Sequence, residues 1–178
     1  SQKAMKRIGI IGADIGNKNG VIFSQNSISR SAKFHIRLPL KQAFRVNSRF
    51  GDIHVDGAQN GLHIINQYGD VSVQNCAQKI QIKYRFGPVE VSNIKGDVNI
   101  DNSNGEATVE NITGDVSVDN AFDTIEIETV SGSLTIDAGN SRVNAQDIQG
   151  DCDVTSSFES ITITQVGGSL IYANLMAG

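Results

Sequence analysis

The stretch GDVNIDNSNGEATVENITGDVSVDNAF, residues 96–122, decides the fold. It contains one phrase twice: Gly-Asp-Val, a polar residue, a branched apolar residue and Asp-Asn begin at residue 96 and again 18 residues later. Within each phrase apolar and polar residues alternate, which is the pattern of a β-strand with one buried face. A strand that returns at a fixed interval indicates a repeat architecture.

The same alternation fits the chain in steps of nine residues from Gln42 to Met176, without an insertion or deletion. In all fifteen of these units the third and fifth residues are apolar, and the fourth is polar in every unit but the last. Only 39% of the whole chain is hydrophobic, so chance does not explain the agreement. Each unit is therefore predicted to be one short strand followed by a corner.

Two further series show that the full repeat is two units, or 18 residues. The ninth position of alternate units is aromatic or asparagine: Phe50, Tyr68, Phe86, Asn104, Phe122, Asn140 and Phe158. The eighth position of the intervening units is smaller and mainly apolar: Ala58, Cys76, Ile94, Ile112, Val130, Ile148 and Val166. The predicted fold is all-β, a single-stranded parallel β-helix or solenoid with 18 residues per turn. We expect one of these series to line each of two corners.

The seventh position is rich in asparagine, which tolerates the left-handed backbone conformation. The asparagines are Asn66, Asn75, Asn93, Asn102, Asn111, Asn120 and Asn174. All of them are predicted to bend the chain at corners. Glycine opens many units, where a side chain would crowd the turn.

Residues 1–41 do not follow the nine-residue rule. RIGII and GVIF read as strands on either side of GNKNG, and KFHIRLP reads as a strand leading into the first turn. We expect one domain in which strands of residues 1–41 cap a β-helix formed by residues 42–178. The last turn has no evident cap, so association of copies into a homo-oligomer through this end is a further expectation.

Composition excludes several classes of partner. The net charge is −4 with dispersed basic residues, which does not indicate a nucleic-acid binder. No apolar run approaches the roughly 20 residues of a membrane span. Cys76 and Cys152 lie just over four turns apart in apolar positions, so they are predicted to be core residues without a disulfide.

The candidate metal ligands are Asp97, Asp101, Asp115 and Asp119, which share one predicted outer face. Further aspartates expected on this face are Asp137, Asp151 and Asp153. Stacked like charges repel, and a loosely bound calcium ion would relieve the repulsion. However, the chain lacks the G-G-x-G-x-D turns of calcium-binding β-rolls. A solvated acidic face is therefore the favoured interpretation, and no metal or other cofactor is assigned.

The sequence shows no catalytic constellation. His54 and His63 are nine residues apart, which places them on opposite strands of a turn. The glycines Gly9, Gly12 and Gly16 miss the spacing of a dinucleotide-binding loop. The uninterrupted repeat leaves no room for the long loops that build the clefts of polysaccharide-active β-helix enzymes. We expect no enzymatic activity.

The phrases GDIHVDG, YGDVSVQN, GDVNIDN, TGDVSVDN and SGSLTID, together with HIRLPL, carry a family resemblance over about residues 34–176. The chain resembles the bacterial adhesin-type β-helix proteins of unknown function, which are related to the head GIN domain adhesins. The resemblance implies a right-handed β-helix and an extracytoplasmic location in the periplasm, on the outer-membrane surface or in the medium. An export signal is not visible in this sequence. The resemblance supplies no catalytic residues.

The resulting hypothesis is a non-enzymatic envelope or surface module with an adhesin-like binding or scaffolding role. Its outer faces would bind a protein or a glycan. The alternatives are a purely structural spacer, a calcium-stabilised solenoid and a polysaccharide-active β-helix enzyme.

Overall fold

The computed structural model describes residues 13–17, 20–25, 34–35, 43–157 and 159–174. All regular secondary structure in these ranges is β-strand. The strands are β1 (Ala13–Asn17), β2 (Gly20–Gln25), β3 (Phe34–His35), β4 (Phe44–Phe50), β5 (Ile53–Asp56), β6 (Leu62–Tyr68), β7 (Val71–Gln74), β8 (Ile80–Phe86), β9 (Val89–Ile94), β10 (Val98–Asn104), β11 (Ala107–Ile112), β12 (Val116–Val130), β13 (Leu134–Ile148), β14 (Cys152–Ser156), β15 (Ile161–Val166) and β16 (Leu170–Asn174).

The strands form two parallel ladders, and each turn of the chain adds one strand to each. The first ladder runs β4, β6, β8, β10, β12, β13, β14 and β16. The second runs β5, β7, β9, β11, β12, β13 and β15. Strands β12 and β13 belong to both ladders because each continues around a corner over 15 residues.

The register is 18 residues in every pair of these ladders. In the first ladder Val98 pairs with Val116, Val116 with Leu134, and Leu134 with Cys152. Equivalent side chains therefore stack directly above one another. The predicted fold, an all-β parallel solenoid with 18 residues per turn, is confirmed.

The N-terminal strands extend both ladders. Strand β2 pairs in parallel with β4, and β1 folds back antiparallel on β2. Strand β3 pairs in parallel with β5. The predicted strand GVIF lies in β2, whereas the predicted strand RIGII lies outside the described residues. Of KFHIRLP, the described part is Phe34–His35.

From Phe44 to Val154 the third and fifth positions of the units fill the core, as the alternation predicts, whereas in the last unit Leu170 and Tyr172 are 45% and 65% exposed. In β10, for example, Val98 and Ile100 are each 1% exposed. Burying one such side chain contributes about 2 kcal/mol, and each turn can bury its apolar residues only against its neighbours. Cys76 and Cys152 are also 1% exposed and are free thiols, which confirms both as core residues.

The seventh position has two different roles, and the sequence-based prediction is right for only one of them. In the units of the second ladder this position turns the chain with positive φ. Its members are Gly57, Asn75, Asn93, Asn111, Thr129, Asp147 and Gln165, with φ between 55° and 76°. The predicted corner role is therefore confirmed for Asn75, Asn93 and Asn111.

In the first ladder the predicted corner role is wrong for Asn66, Asn102 and Asn120. These strands continue further, so position seven is a third inward position, and the three side chains are at most 2% exposed. The φ > 0 residues of this corner come later in the chain: Gly51, Gly69, Gly87, Gly105 and Asp123.

The inward polar residues bind the carbonyl groups of this corner. Asn66 donates from Nδ2 to the Gly51 carbonyl oxygen over 3.1 Å, and Asn120 donates in the same way to Gly105. The hydroxyl of Tyr84 donates to the carbonyl oxygen of Gly69. Because buried carbonyl groups need hydrogen-bond partners, this polar column stabilises the corner from inside.

The aromatic series lies at this corner, as expected, but on its outer side and not in the core. Tyr68 is 41% exposed, Phe86 39% and Phe122 49%. The residue at position seven already fills the interior of the corner, and position nine therefore points to solvent. The other series meets the expectation, since Cys76, Ile94, Ile112, Val130 and Ile148 are all buried.

Candidate binding face

The outward side chains of the first ladder come from the second, fourth, sixth and eighth positions of its units. They form four columns that run along the solenoid, and we call this surface the first outer face. Because the strands are held in register by backbone hydrogen bonds, each column has a fixed spacing of about 4.8 Å between neighbouring strands.

Charge divides the first outer face into two halves. The units of β4, β6 and β8 contain no acidic residue, and their basic residues are Arg45, Arg49, Lys79, Lys83 and Arg85. The units of β10, β14 and the first parts of β12 and β13 contain no basic residue. Their acidic residues are Asp97, Asp101, Asp115, Asp119, Asp137, Asp151 and Asp153. We call these the basic half and the acidic half.

The boundary between the halves lies between β8 and β10. Here Lys83 Nζ lies 3.1 Å from Asp101 Oδ2, and the two side chains are 63% and 48% exposed. Such an exposed ion pair contributes about 0–1 kcal/mol. Its main consequence is geometric, because it marks the point where the sign of the face changes.

Asp97 and Asp115, two of the four candidate metal ligands, bind the backbone. Asp97 Oδ1 accepts a hydrogen bond from the backbone N–H of Asp115 over 3.3 Å. Asp115 Oδ1 accepts from the N–H of Ser133 over 2.8 Å, and Asp151 Oδ1 from that of Ser169 over 2.8 Å. The second position of these units thus links one turn to the next.

The glycine before each of these aspartates is required by close approach of the turns. A Cβ atom on Gly114 would lie 2.7 Å from the Gly96 carbonyl carbon and 2.7 Å from Asp97 Oδ1. Contacts this short do not occur for real Cβ atoms, so a side chain would separate the turns. Gly-Asp is therefore one structural unit.

Asp101 and Asp119, the other two candidates, lie in one column with Asp137. Burial, and then the charges of Asp137 and Asp101, raise the pKa of Asp119. Over residues 43–157 and 159–173, whose side chains are described, no group of three or more His, Cys, Asp or Glu residues is arranged to hold a metal ion. The structure therefore brings together Asp101 and Asp119, and places Asp97 and Asp115 in a separate column.

His63 lies on the basic half. Burial, and then the positive charges of Arg45 and Lys83, lower its pKa. Its Nε2 atom is buried without a hydrogen-bond partner. His54 lies on the second ladder, with Nδ1 3.3 Å from Ser72 Oγ, so the two histidines are on different ladders as expected.

An aromatic stack borders the basic half. Phe50, Tyr68 and Phe86 are stacked with 5.1 Å between neighbouring ring centroids and interplanar angles of 9–10°. The guanidinium groups of Arg49 and Arg85 lie 5.5 Å and 6.0 Å from the ring centroids of Phe50 and Phe86, which is within cation–π range. Because Tyr68 is stacked on both sides, only its edge faces solvent.

The described surface has shallow depressions along the ladders. One of 270 Å³ lies mainly on the acidic half and reaches across the boundary to Lys79, and its other lining residues include Asp97, Asn99, Ser117 and Thr135. Another of 280 Å³ lies on the outer face of the second ladder, beside Glu110, Glu126 and Glu128.

Sequence analysis identified the acidic side of this face but missed its basic side. The signal was present: three consecutive first-ladder units, 18 residues apart, lack any Asp or Glu, and the first and third of them hold the five Lys and Arg residues of the basic half. It becomes visible only when the units are sorted by ladder.

Fold and face together define a parallel β-solenoid repeat protein. The family model Toastrack DUF4097 matches residues 11–169, so the chain belongs to this family, a β-solenoid family of unknown function. No curated protein and no solved structure matches the chain. None of the described residues forms a helix long and apolar enough to cross a membrane.

Proposed function

We propose that this chain is a non-enzymatic module of the bacterial cell envelope, located outside the cytoplasm, with an adhesin-like or scaffolding role. Its first outer face would bind a macromolecular partner, either a protein or a glycan. The observation that supports this function most strongly is the division of a rigid, regular face into a basic and an acidic half.

The shape of the face favours a large partner. Seven strands at about 4.8 Å and seven residues at about 3.3 Å per strand give a surface of roughly 34 Å by 23 Å. This is about 800 Å², the area that each partner buries in a standard protein–protein interface. Small-molecule sites are instead concave and enclose most of their ligand.

The connections between strands favour binding over catalysis. From β4 to β16 they are at most five residues long, as between β5 and β6. Acidic side chains therefore lie in straight columns, and no inserted loop brings a second set of groups towards them. An active site requires such convergence of an acid, a base or a nucleophile on one substrate.

The calcium-stabilised solenoid is the less favoured alternative, because Asp97 and Asp115 already accept backbone hydrogen bonds. Thermal unfolding at millimolar calcium distinguishes the calcium-stabilised solenoid from a module that binds no calcium. We expect an unchanged unfolding midpoint, and a clear rise of the midpoint would favour a calcium site on Asp101 and Asp119.

The binding function is tested with immobilised protein on a glycan array and in pull-downs from envelope extracts. Lys79→Glu with Lys83→Glu should abolish capture of a specific glycan or protein. Glu126→Lys with Glu128→Lys changes as many charges on the other ladder and should leave capture unchanged. If both variants capture what the wild type captures, the first outer face is not the binding site.

A further inference from the structure

We infer that the partner of the first outer face is a second copy of this chain, which lies antiparallel to the first and places its basic half on the acidic half. The inference rests on the proposed function, because it names the partner of the same face. It follows from three independent properties of the face: charge, side-chain size and area.

The first property is charge. A polyanion would be attracted to the basic half but repelled by the acidic half. Each half extends for about 15–20 Å along the solenoid, which is longer than the screening length of about 8 Å at physiological salt. A partner that covers the whole face must therefore be acidic where the face is basic and basic where the face is acidic. A second copy of the same face has this arrangement when it is rotated by 180°.

The symmetry axis that satisfies this condition runs along the strand direction, between β8 and β10. A rotation by 180° about this axis leaves every residue in its own column but reverses the order of the strands. Strand β8 therefore faces β10 of the second copy. Lys79 then faces Asp97, and Lys83 faces Asp101 of the second copy. Rotation about the solenoid axis would instead place like charges opposite each other.

The second property is side-chain size. The basic half carries long side chains in its outer columns, among them Arg45, His63 and Gln81. At the matching positions of the acidic half stand small residues, Thr135, Ser117 and Asn99. These same three line the depression of 270 Å³ that lies mainly on the acidic half. The rotation therefore places the long side chains of one copy over the depression of the other.

The third property is area. The face offers about 800 Å² per copy, which is sufficient for a specific dimer. Complementary charge mainly sets the orientation and the association rate of such an interface. We therefore expect a dimer that dissociates at high salt.

The test is an exchange of charges between two variants. The first carries Lys83→Glu and the second carries Asp101→Lys, so the two changes lie at positions that face each other across the axis, and neither side chain has a backbone hydrogen bond among the described contacts. In analytical ultracentrifugation at low salt, the wild type should have twice the mass of one chain, which is 19.1 kDa. Each variant alone should be monomeric, with at least about tenfold weaker association.

An equal mixture of the two variants should form a heterodimer, because every contact then joins opposite charges again. This rescue also shows that both variants are folded. Glu126→Lys with Glu128→Lys on the other ladder is the control and should remain dimeric. A monomeric wild type at low salt, dimeric charge variants, or an unrescued mixture would each overturn the inference.

Sedimentation of the wild type and the capture experiment together distinguish this inference from the proposed function. If the wild type is monomeric and the variant with Lys79→Glu and Lys83→Glu no longer captures the glycan or protein, the inferred dimer is wrong but the first outer face is still the binding site. If the wild type is monomeric and capture is unchanged, both are wrong.

Discussion

Asp115 Oδ1 accepts a hydrogen bond from the backbone N–H of Ser133, one turn further along the solenoid, over 2.8 Å. The same relationship joins Asp97 to Asp115 and Asp151 to Ser169. The repeated Gly-Asp phrase thus has a structural cause. The glycine allows two neighbouring turns to lie close together, and the aspartate accepts a hydrogen bond from the backbone N–H just before the strand of the next turn.

Asp115→Ala is therefore expected to lower the free energy of unfolding by about 1 kcal/mol, because the Ser133 N–H loses its acceptor. Asp119→Ala is the matched control, since it removes a carboxylate from a column of like charges and should cost little or nothing. Urea denaturation measures both. Equal losses would show that the two columns do not differ in role.

The corner residue Thr129 is expected to be strained. It has φ of 59°, a left-handed conformation in which a β-branched residue is unfavourable, whereas Asn111 holds φ of 56° at the equivalent position. Thr129→Asn should stabilise the protein by about 1 kcal/mol, and Asn111→Thr should destabilise it by about the same amount. Thermal and urea unfolding of the two variants and their combination measure this.

The combined Asn111→Thr and Thr129→Asn variant should return close to wild-type stability, because the two sites lie on neighbouring turns with the same backbone. A stabilising effect of Asn111→Thr would contradict the assigned corner geometry.

Tyr84→Phe should cost about 1 kcal/mol, because its hydroxyl donates to the carbonyl oxygens of Gly69 and Phe86 inside the corner. Tyr84→Ala should cost about 3 kcal/mol or more, since it also leaves a cavity in the core. Tyr68→Phe removes a hydroxyl outside the same corner and serves as the control. If Tyr84→Phe is as harmless as Tyr68→Phe, the inner polar column does not stabilise the corner.

His63 should make stability depend on pH. Its pKa is lowered in the folded protein from 6.5, so the unfolded chain binds a proton more readily than the folded one. Stability is then fully present above pH 6.5 and is lost as the pH falls towards the folded pKa. His63→Gln should reduce this loss.

The measurement is the free energy of unfolding of the wild type and of His63→Gln between about pH 7.5 and about pH 5. Arg45→Gln removes one of the positive charges that lower the pKa and should give an intermediate slope. Identical slopes for the wild type and His63→Gln would refute the assignment.

Much of the fold could be predicted from the sequence because its repeat is regular. Strict alternation at the third and fifth positions identified the core, and the 18-residue interval identified the pairing of Val98 with Val116. The same interval placed Cys76 and Cys152 too far apart for a disulfide. These properties depend only on the chain's periodicity, so the sequence by itself determined them.

Only the tertiary structure decided which side of a corner each residue occupies. Asn102 and Asn111 hold the same position in their units, yet one is buried in a strand and the other turns the chain. Likewise Asp115 binds the neighbouring turn while Asp119 faces solvent. The difference depends on where the backbone bends and on which groups of the adjacent turn it meets. Contacts between residues 18 apart determine both, and no single nine-residue unit encodes them.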